Sequence, residues 1–284
     1  MNPGSIEDII LKFSHRGMEK LRPHLPANYC EEAAKEILSW ERGSVLLATG
    51  FYVAGHAETD GPAGTVVLAK ALQKLGFRPF VLTDGNCSQY FEPEGLDTIY
   101  IPYGEDGGFC LSLLEKLRPA GLISIERCGE NLRGDYANMH GESIRSHTAQ
   151  IDRLFDAAYG KVPTIGIGDG GNEIGMGNLS DVIERELDLV PCRTKVDRLV
   201  IATVSNWGAY GIAAYLEKLT GIEVFPPVED VKAYLQRTVR LGSVDGRSEQ
   251  NVCTVDGFAP AESEEVYAAL RNATSCTAPS GTQG

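Results

Sequence analysis

Ser44-Val45-Leu46-Leu47-Ala48-Thr49-Gly50 is an almost unbroken apolar run that stops at a glycine. It is too short for a typical helix and reads as a strand covered on both faces. Runs of the same kind recur at Pro79–Thr83, Thr98–Ile101, Gly121–Ile125, Thr164–Ile167 and Arg198–Ala202. Helical apolar spacing fills the gaps between them, at Ala63–Leu75, Gly108–Leu117, Thr148–Ala158, Leu179–Leu187 and Trp207–Leu219. Strands alternating with helices at this rhythm predict a doubly wound α/β fold, with a mainly parallel sheet of six or more strands and helices on both faces.

Outside that core, Ser5 can cap a helix that places Ile6, Ile9, Ile10 and Phe13 on one face, and a second helix runs from Tyr29 to Trp40. Helices at Val228–Arg240 and Ala261–Arg271 would close the structure. We expect one domain over residues 1–284, with N-terminal helices in 1–43 and a disordered tail at 277–284.

The chain has 26 Lys and Arg against 39 Asp and Glu, a formal net charge of −13. Such a surface repels phosphate backbones and anionic lipid, so neither nucleic acid nor membrane is an expected partner. No apolar run approaches the roughly 18 residues of a membrane span, and the first residues lack a signal-peptide layout. The seven cysteines are scattered, without a CxxC pair. This is the pattern of reduced thiols rather than of a disulfide framework, and the expected location is cytoplasmic.

In open α/β sheets, ligands sit beyond the carboxyl ends of the strands. There the chain concentrates glycines and carboxylates. After the first strand come Gly50-Phe51 and then Glu58-Thr59-Asp60-Gly61-Pro62. Asp60 can simply cap the helix that Pro62 begins, or Glu58 and Asp60 can point into a cleft as acid–base or metal-ordering groups. After the fourth strand comes Glu126-Arg127. This is either a structural ion pair, or a metal or proton-transfer carboxylate beside an arginine whose planar fork suits a substrate carboxylate. A polar loop with Asn138-Met139-His140-Gly141 follows, long enough to be a lid or binding loop.

The densest signal is Gly166-Ile167-Gly168-Asp169-Gly170-Gly171-Asn172-Glu173-Ile174-Gly175-Met176-Gly177. Gly166, Gly168 and Gly171 satisfy GxGxxG, which makes a nucleotide- or NAD-binding enzyme the competing reading. Asp169, however, places a negative charge where a pyrophosphate would lie. Asp169, Asn172 and Glu173 offer hard oxygen ligands suited to Mg²⁺ or Mn²⁺, unless the segment is only a tight turn bonding its own backbone. After the sixth strand, Ser205-Asn206 can cap a helix or donate to a bound carboxylate.

Thr49-Gly50-Phe51, Glu58-Thr59-Asp60-Gly61-Pro62, Glu126-Arg127, Asn138–Gly141, Gly168–Gly177 and Ser205-Asn206-Trp207-Gly208 together resemble the D-glutamate cyclase family, specifically its C-terminal catalytic-type domain, across roughly residues 33–241. Cys128 and His140 stand where that pattern has proline and arginine. The resemblance implies dehydration of D-glutamate to 5-oxo-D-proline, aided by a divalent metal, Mn²⁺ before Mg²⁺. On that basis Asp169 and Glu173 are expected as metal ligands, with Asn172 and Glu126 as further ones. Glu58, Asp60 and Glu126 are the expected proton-transfer groups. Gly50, Phe51, Arg127, Asn138, Ser205 and Asn206 are the expected substrate contacts. The expected partner is a small acidic amino acid; a homo-oligomer is a separate expectation, and a non-catalytic amino-acid sensor is a further alternative.

Overall fold

A computed structural model describes residues 4–104 and 107–275. Three helices come first: α1 (Ile6–Ile10), α2 (Met18–Leu21) and α3 (Tyr29–Ser39). The main sheet and its connections follow: β1 (Ser44–Thr49), the ribbon β2 (Tyr52–Val53) and β3 (His56–Ala57), α4 (Pro62–Lys74), β4 (Arg78–Thr83), β5 (Asp97–Tyr100), α5 (Gly108–Leu117), β6 (Gly121–Ile125), α6 (Asp152–Ala158), β7 (Thr164–Gly168), α7 (Ser180–Glu186), β8 (Arg198–Ile201) and α8 (Ser205–Thr220). The last two helices are α9 (Val228–Arg240) and α10 (Pro260–Ser275). The 277–284 tail lies outside the described residues.

The six long strands form one parallel sheet in the order β5-β4-β1-β6-β7-β8. Apart from the ribbon, this is a 3-2-1-4-5-6 order, the doubly wound arrangement whose ligand crevice opens where the chain reverses, between β1 and β6. The expected strands are present because their apolar runs are buried on both faces; every residue of β6 and β7 is buried. The interior is a large cluster of strand residues and apolar helix faces, with a small second cluster of Phe51, Cys128, Tyr136 and Ile144. Helix α8 packs against α1, α3, α4 and α10. Its approach to α4 depends on Gly64, where an added Cβ would lie 2.9 Å from both Ala209 Cβ and Asn206 Cα.

Three helix boundaries differ from the periodicity, and the last of them is α10, which runs on to Ser275 rather than ending at Arg271. Helix α1 ends at Ile10, and Phe13 lies beyond it with φ of 63°. Helix α6 starts at Asp152 rather than Thr148. The Ala149 carbonyl accepts from Arg127 and its N–H donates to Asp84, which holds that segment outside the helix. The ribbon, with two residues in each strand, is too short to produce a period-two pattern.

No disulfide forms among the described cysteines. No helix among the described residues is long and apolar enough to cross a membrane.

Candidate active site

A cleft of about 330 Å³ opens at the carboxyl edge of the sheet. Glu58, Glu126 and Asp256 line it, and the fully buried Asp60 and Asp169 lie alongside. One carboxylate oxygen from each of Asp60, Glu126 and Asp169 falls within 4.8 Å of the other two. The topology brings them together. Glu126 follows β6 and Asp169 follows the adjacent β7, while Asp60 sits just before α4. Glu126 adopts φ of 46°, a left-handed conformation uncommon for a side-chain-bearing residue.

Asp60 is anchored by three backbone donors. Ser205 N–H reaches Oδ2 at 2.7 Å, while Asn206 and Gly61 N–H reach Oδ1 at 2.8 Å. It therefore caps α8 rather than the helix that follows it in sequence. Asn206 returns the arrangement: its Oδ1 accepts from Gly61 and Gly64 N–H at 3.1 and 2.6 Å, capping α4, and its Nδ2 donates to Thr59 O. Ser205 Oγ donates to Glu126 Oε2 at 2.6 Å. Asp169 receives no hydrogen bond on either oxygen, and Glu58 Oε1 receives none. A buried carboxylate without donors is costly unless a cation or a proton compensates it.

Burial is the main reason that these acids resist ionisation, and their mutual repulsion adds to it. Glu58 is raised well above the usual carboxylate range by desolvation and then by Asp256 and Asp60. Glu126 is raised by desolvation and by Glu173 and Glu58. Asp169 is raised by desolvation, with Arg16 opposing and Glu126 and Asp256 adding. Asp60 is pushed to about 7 by burial and Asp256, against the pull of its three N–H donors. Arg16 lies 3.0 Å from Asp169 and 2.8 Å from Asp256. Burial works against its charge, but the surrounding carboxylates outweigh that and hold it firmly protonated.

Other expected site residues are committed elsewhere. Arg127 is buried, donates to the Gly50 and Ala149 carbonyls at 2.6 Å each, and pairs with Asp84 at 2.7 Å. It braces the loop after β1 from behind. Gly50 holds that loop at φ of 97°, and Phe51 lines the cleft. Glu173 accepts from Gly170 and Gly171 N–H at 2.8 and 2.7 Å, stitching its own loop. Those amides are the donors that a pyrophosphate would need, so the loop lacks the free anion cradle of a dinucleotide site. Asn172 lines the cleft and donates to Ala137 O, and Asn138 lines it while closing a turn onto His140 and Glu142. The glycines of the loop meet the protein itself: a Cβ on Gly166 would lie 2.5 Å from Ile174 O, and one on Gly177 would lie 2.4 Å from Arg193 O.

Sequence reasoning passed over Arg16, Asp256, Gly246 and the stacked Tyr52–His147 pair, all of which line the cleft. Arg16 and Asp256 follow no strand of the main sheet, so the strand-end rule could not find them. The Gly246-Arg247 and Asp256-Gly257 turns after α9 carried a turn signal and nothing more.

A parallel α/β sheet with buried carboxylates converging at its switch point defines a class of small-molecule site suited to charged ligands. The family model described as D-glutamate cyclase-like, C-terminal, matches residues 6–271, and the chain belongs to that family. A human protein named D-glutamate cyclase, mitochondrial, is 34% identical over 214 residues, covering 66% of this chain and 35% of the human one. The chain thus matches about a third of that relative's length. The relative is named as mitochondrial, whereas the sequence reading expects a cytoplasmic protein.

Proposed function

We propose that the protein cyclises D-glutamate to 5-oxo-D-proline and water, with a divalent metal, Mn²⁺ before Mg²⁺, held by Asp60, Glu126 and Asp169. The observation that carries this reading is the convergence of those three carboxylates, with no hydrogen bond to either Asp169 oxygen and only Arg16 as its ion-pair partner. Buried, donor-poor oxygens at this spacing suit a hard cation. When bound, such an ion supplies Lewis-acid polarisation of a carboxylate and offsets developing negative charge.

The chain's own residues then have three tasks. The cleft must hold glutamate folded, so that the α-amine and the side-chain carboxylate carbon Cδ are near contact. A carboxylate must take protons from the α-ammonium. Glu58 lines the cleft, has one oxygen without a hydrogen bond, and is made a stronger proton acceptor by burial and by Asp256, which suits a group that accepts and returns protons. The N–Cδ bond forms as one Cδ–O bond of the side-chain carboxylate breaks, and two protons that leave the ammonium end on the departing oxygen as water. Finally, Ser205 holds Glu126 in orientation through its 2.6 Å hydrogen bond.

Incubation of the protein with D-glutamate and Mn²⁺ should yield 5-oxoproline, with chelator abolishing it and L-glutamate giving much less. A metal-replete protein that forms no 5-oxoproline refutes the proposal.

A further inference from the structure

The cleft wall carries Glu58, Glu126, Glu142, Glu249 and Asp256, and among the described lining residues Arg16 is the one lysine or arginine. An anionic amino acid entering such a wall needs a fixed cation for the carboxylate that does not react. Arg127, the arginine that sequence reasoning favours, has both terminal nitrogens bonded within the protein.

We infer that Arg16 binds the substrate's unreacting α-carboxylate and thereby selects anionic amino acids over their α-amides; this rests on the cyclase reading for which carboxylate reacts. Nη1 of Arg16 serves Asp256 at 2.8 Å and Asp169 at 3.0 Å. Nε and Nη2 make no hydrogen bond to the described residues, and the side chain keeps 20% of its surface exposed. That leaves the side-on edge of the guanidinium, which matches a carboxylate with two parallel N–H···O bonds. The two aspartates fix the guanidinium in advance, so little freedom is lost on binding.

The surroundings fit that use. The cleft meets a second cavity of about 390 Å³ at Arg16, Met139 and Asn172, so the guanidinium stands where the two spaces join. A Cβ on Gly170 would lie 2.7 Å from Nη2, and the glycine keeps that edge clear. Arg16 stands 3.0 Å from Asp169, so a small dicarboxylate held by the guanidinium lies next to the acid cluster.

The test is calorimetric titration of the full chain in Mn²⁺ with D-glutamate and with its α-carboxamide, D-isoglutamine. The wild type should prefer D-glutamate by about 10- to 100-fold, the scale of a charge-assisted hydrogen bond. R16K keeps the positive charge that Asp169 and Asp256 need, yet lacks the planar fork, so its preference should fall to about threefold or less. R16Q should do the same, and if it fails to fold, R16K with a wild-type melting temperature carries the test. A wild type that binds both ligands equally, or neither, overturns the inference, as does R16K with undiminished preference. Turnover separates the two readings. Arg16-dependent binding without 5-oxoproline sinks the cyclase and keeps the anchor, whereas turnover with preference intact in R16K sinks the anchor alone.

Discussion

Asp169→Asn separates the metal from the fold. At 4.8 Å, the widest spacing among Asp60, Glu126 and Asp169, two ionised carboxylates repel by about 3–4 kcal/mol at an effective dielectric of about 20. Three such pairs amount to about 10 kcal/mol, comparable with the whole stability of a domain. The cluster therefore holds protons or a cation. For a fully ionised cluster, substitution by asparagine would remove two of those repulsions, about 7 kcal/mol, and also the attraction to Arg16 at 3.0 Å, about 5–6 kcal/mol on the same scale, and protonation shrinks both. The opposing changes leave the metal-free stability within about 2 kcal/mol of wild type, roughly 3–4 °C in Tm for a chain of this size. The metal-dependent part behaves differently. At a hundred times its Kd, an ion adds about 2.7 kcal/mol to the wild type, or roughly 5 °C. Asp169→Asn should lose that increment and at least about 10²-fold in 5-oxoproline formation. Thermal melts with and without Mn²⁺, beside a turnover assay, read both quantities. A variant that keeps the full Mn²⁺-induced rise, or turns over within tenfold of wild type, refutes the assignment of Asp169.

Other expectations follow from the same contacts. In chelator, metal-free protein should lose stability as pH rises from about 4 to about 7: Asp60 is raised to about 7, so over that window the folded state keeps a proton that the unfolded chain has released. A pH series of denaturant midpoints that rises steadily instead would contradict that sign. Asn206→Ala removes acceptor bonds from Gly61 and Gly64 and a donor bond to Thr59, and should cost about 2–3 kcal/mol in unfolding free energy, most of it from uncapping α4. Arg127→Met should cost about 3–5 kcal/mol because Asp84 is left buried and unpaired, and adding Asp84→Asn should recover part of it, as a double-mutant cycle in urea would reveal.

The fold was legible because parallel strands buried on both faces leave aliphatic runs that little else produces, and β1 and β6 have the expected boundaries. The site was legible only where it obeys the strand-end rule. Glu126 and Asp169 follow β6 and β7 directly, and Ser205 comes four residues after the end of β8. Glu173 illustrates the failure of sequence nearness. It lies four residues past Asp169, close enough to repel Glu126, yet its oxygens turn inward onto two loop amides. Arg16 illustrates the opposite failure: it meets Asp256 across 240 residues, and no spacing announces a pair so distant.

The cross-capping of α4 and α8 explains how so many buried acids are tolerated in one place. Asp60 takes the N-terminus of α8, where free N–H groups and the helix dipole favour a negative charge, and Asn206 fills the same role for α4 with a neutral oxygen. Had both caps been aspartates, a further charge would stand beside the cluster with no cation to meet it. The exchange also sorts the carboxylates on the cyclase reading. Asp60 is fixed by three donors and keeps lone pairs for a ligand, so it is an anchored member of the ion's shell. Asp169, with no donor at all, depends on Arg16 and the ion for compensation. Glu58 lies outside the converging triad, lines the cleft and has one buried oxygen without a hydrogen bond, which on that reading leaves it to carry protons between the ammonium and the departing oxygen.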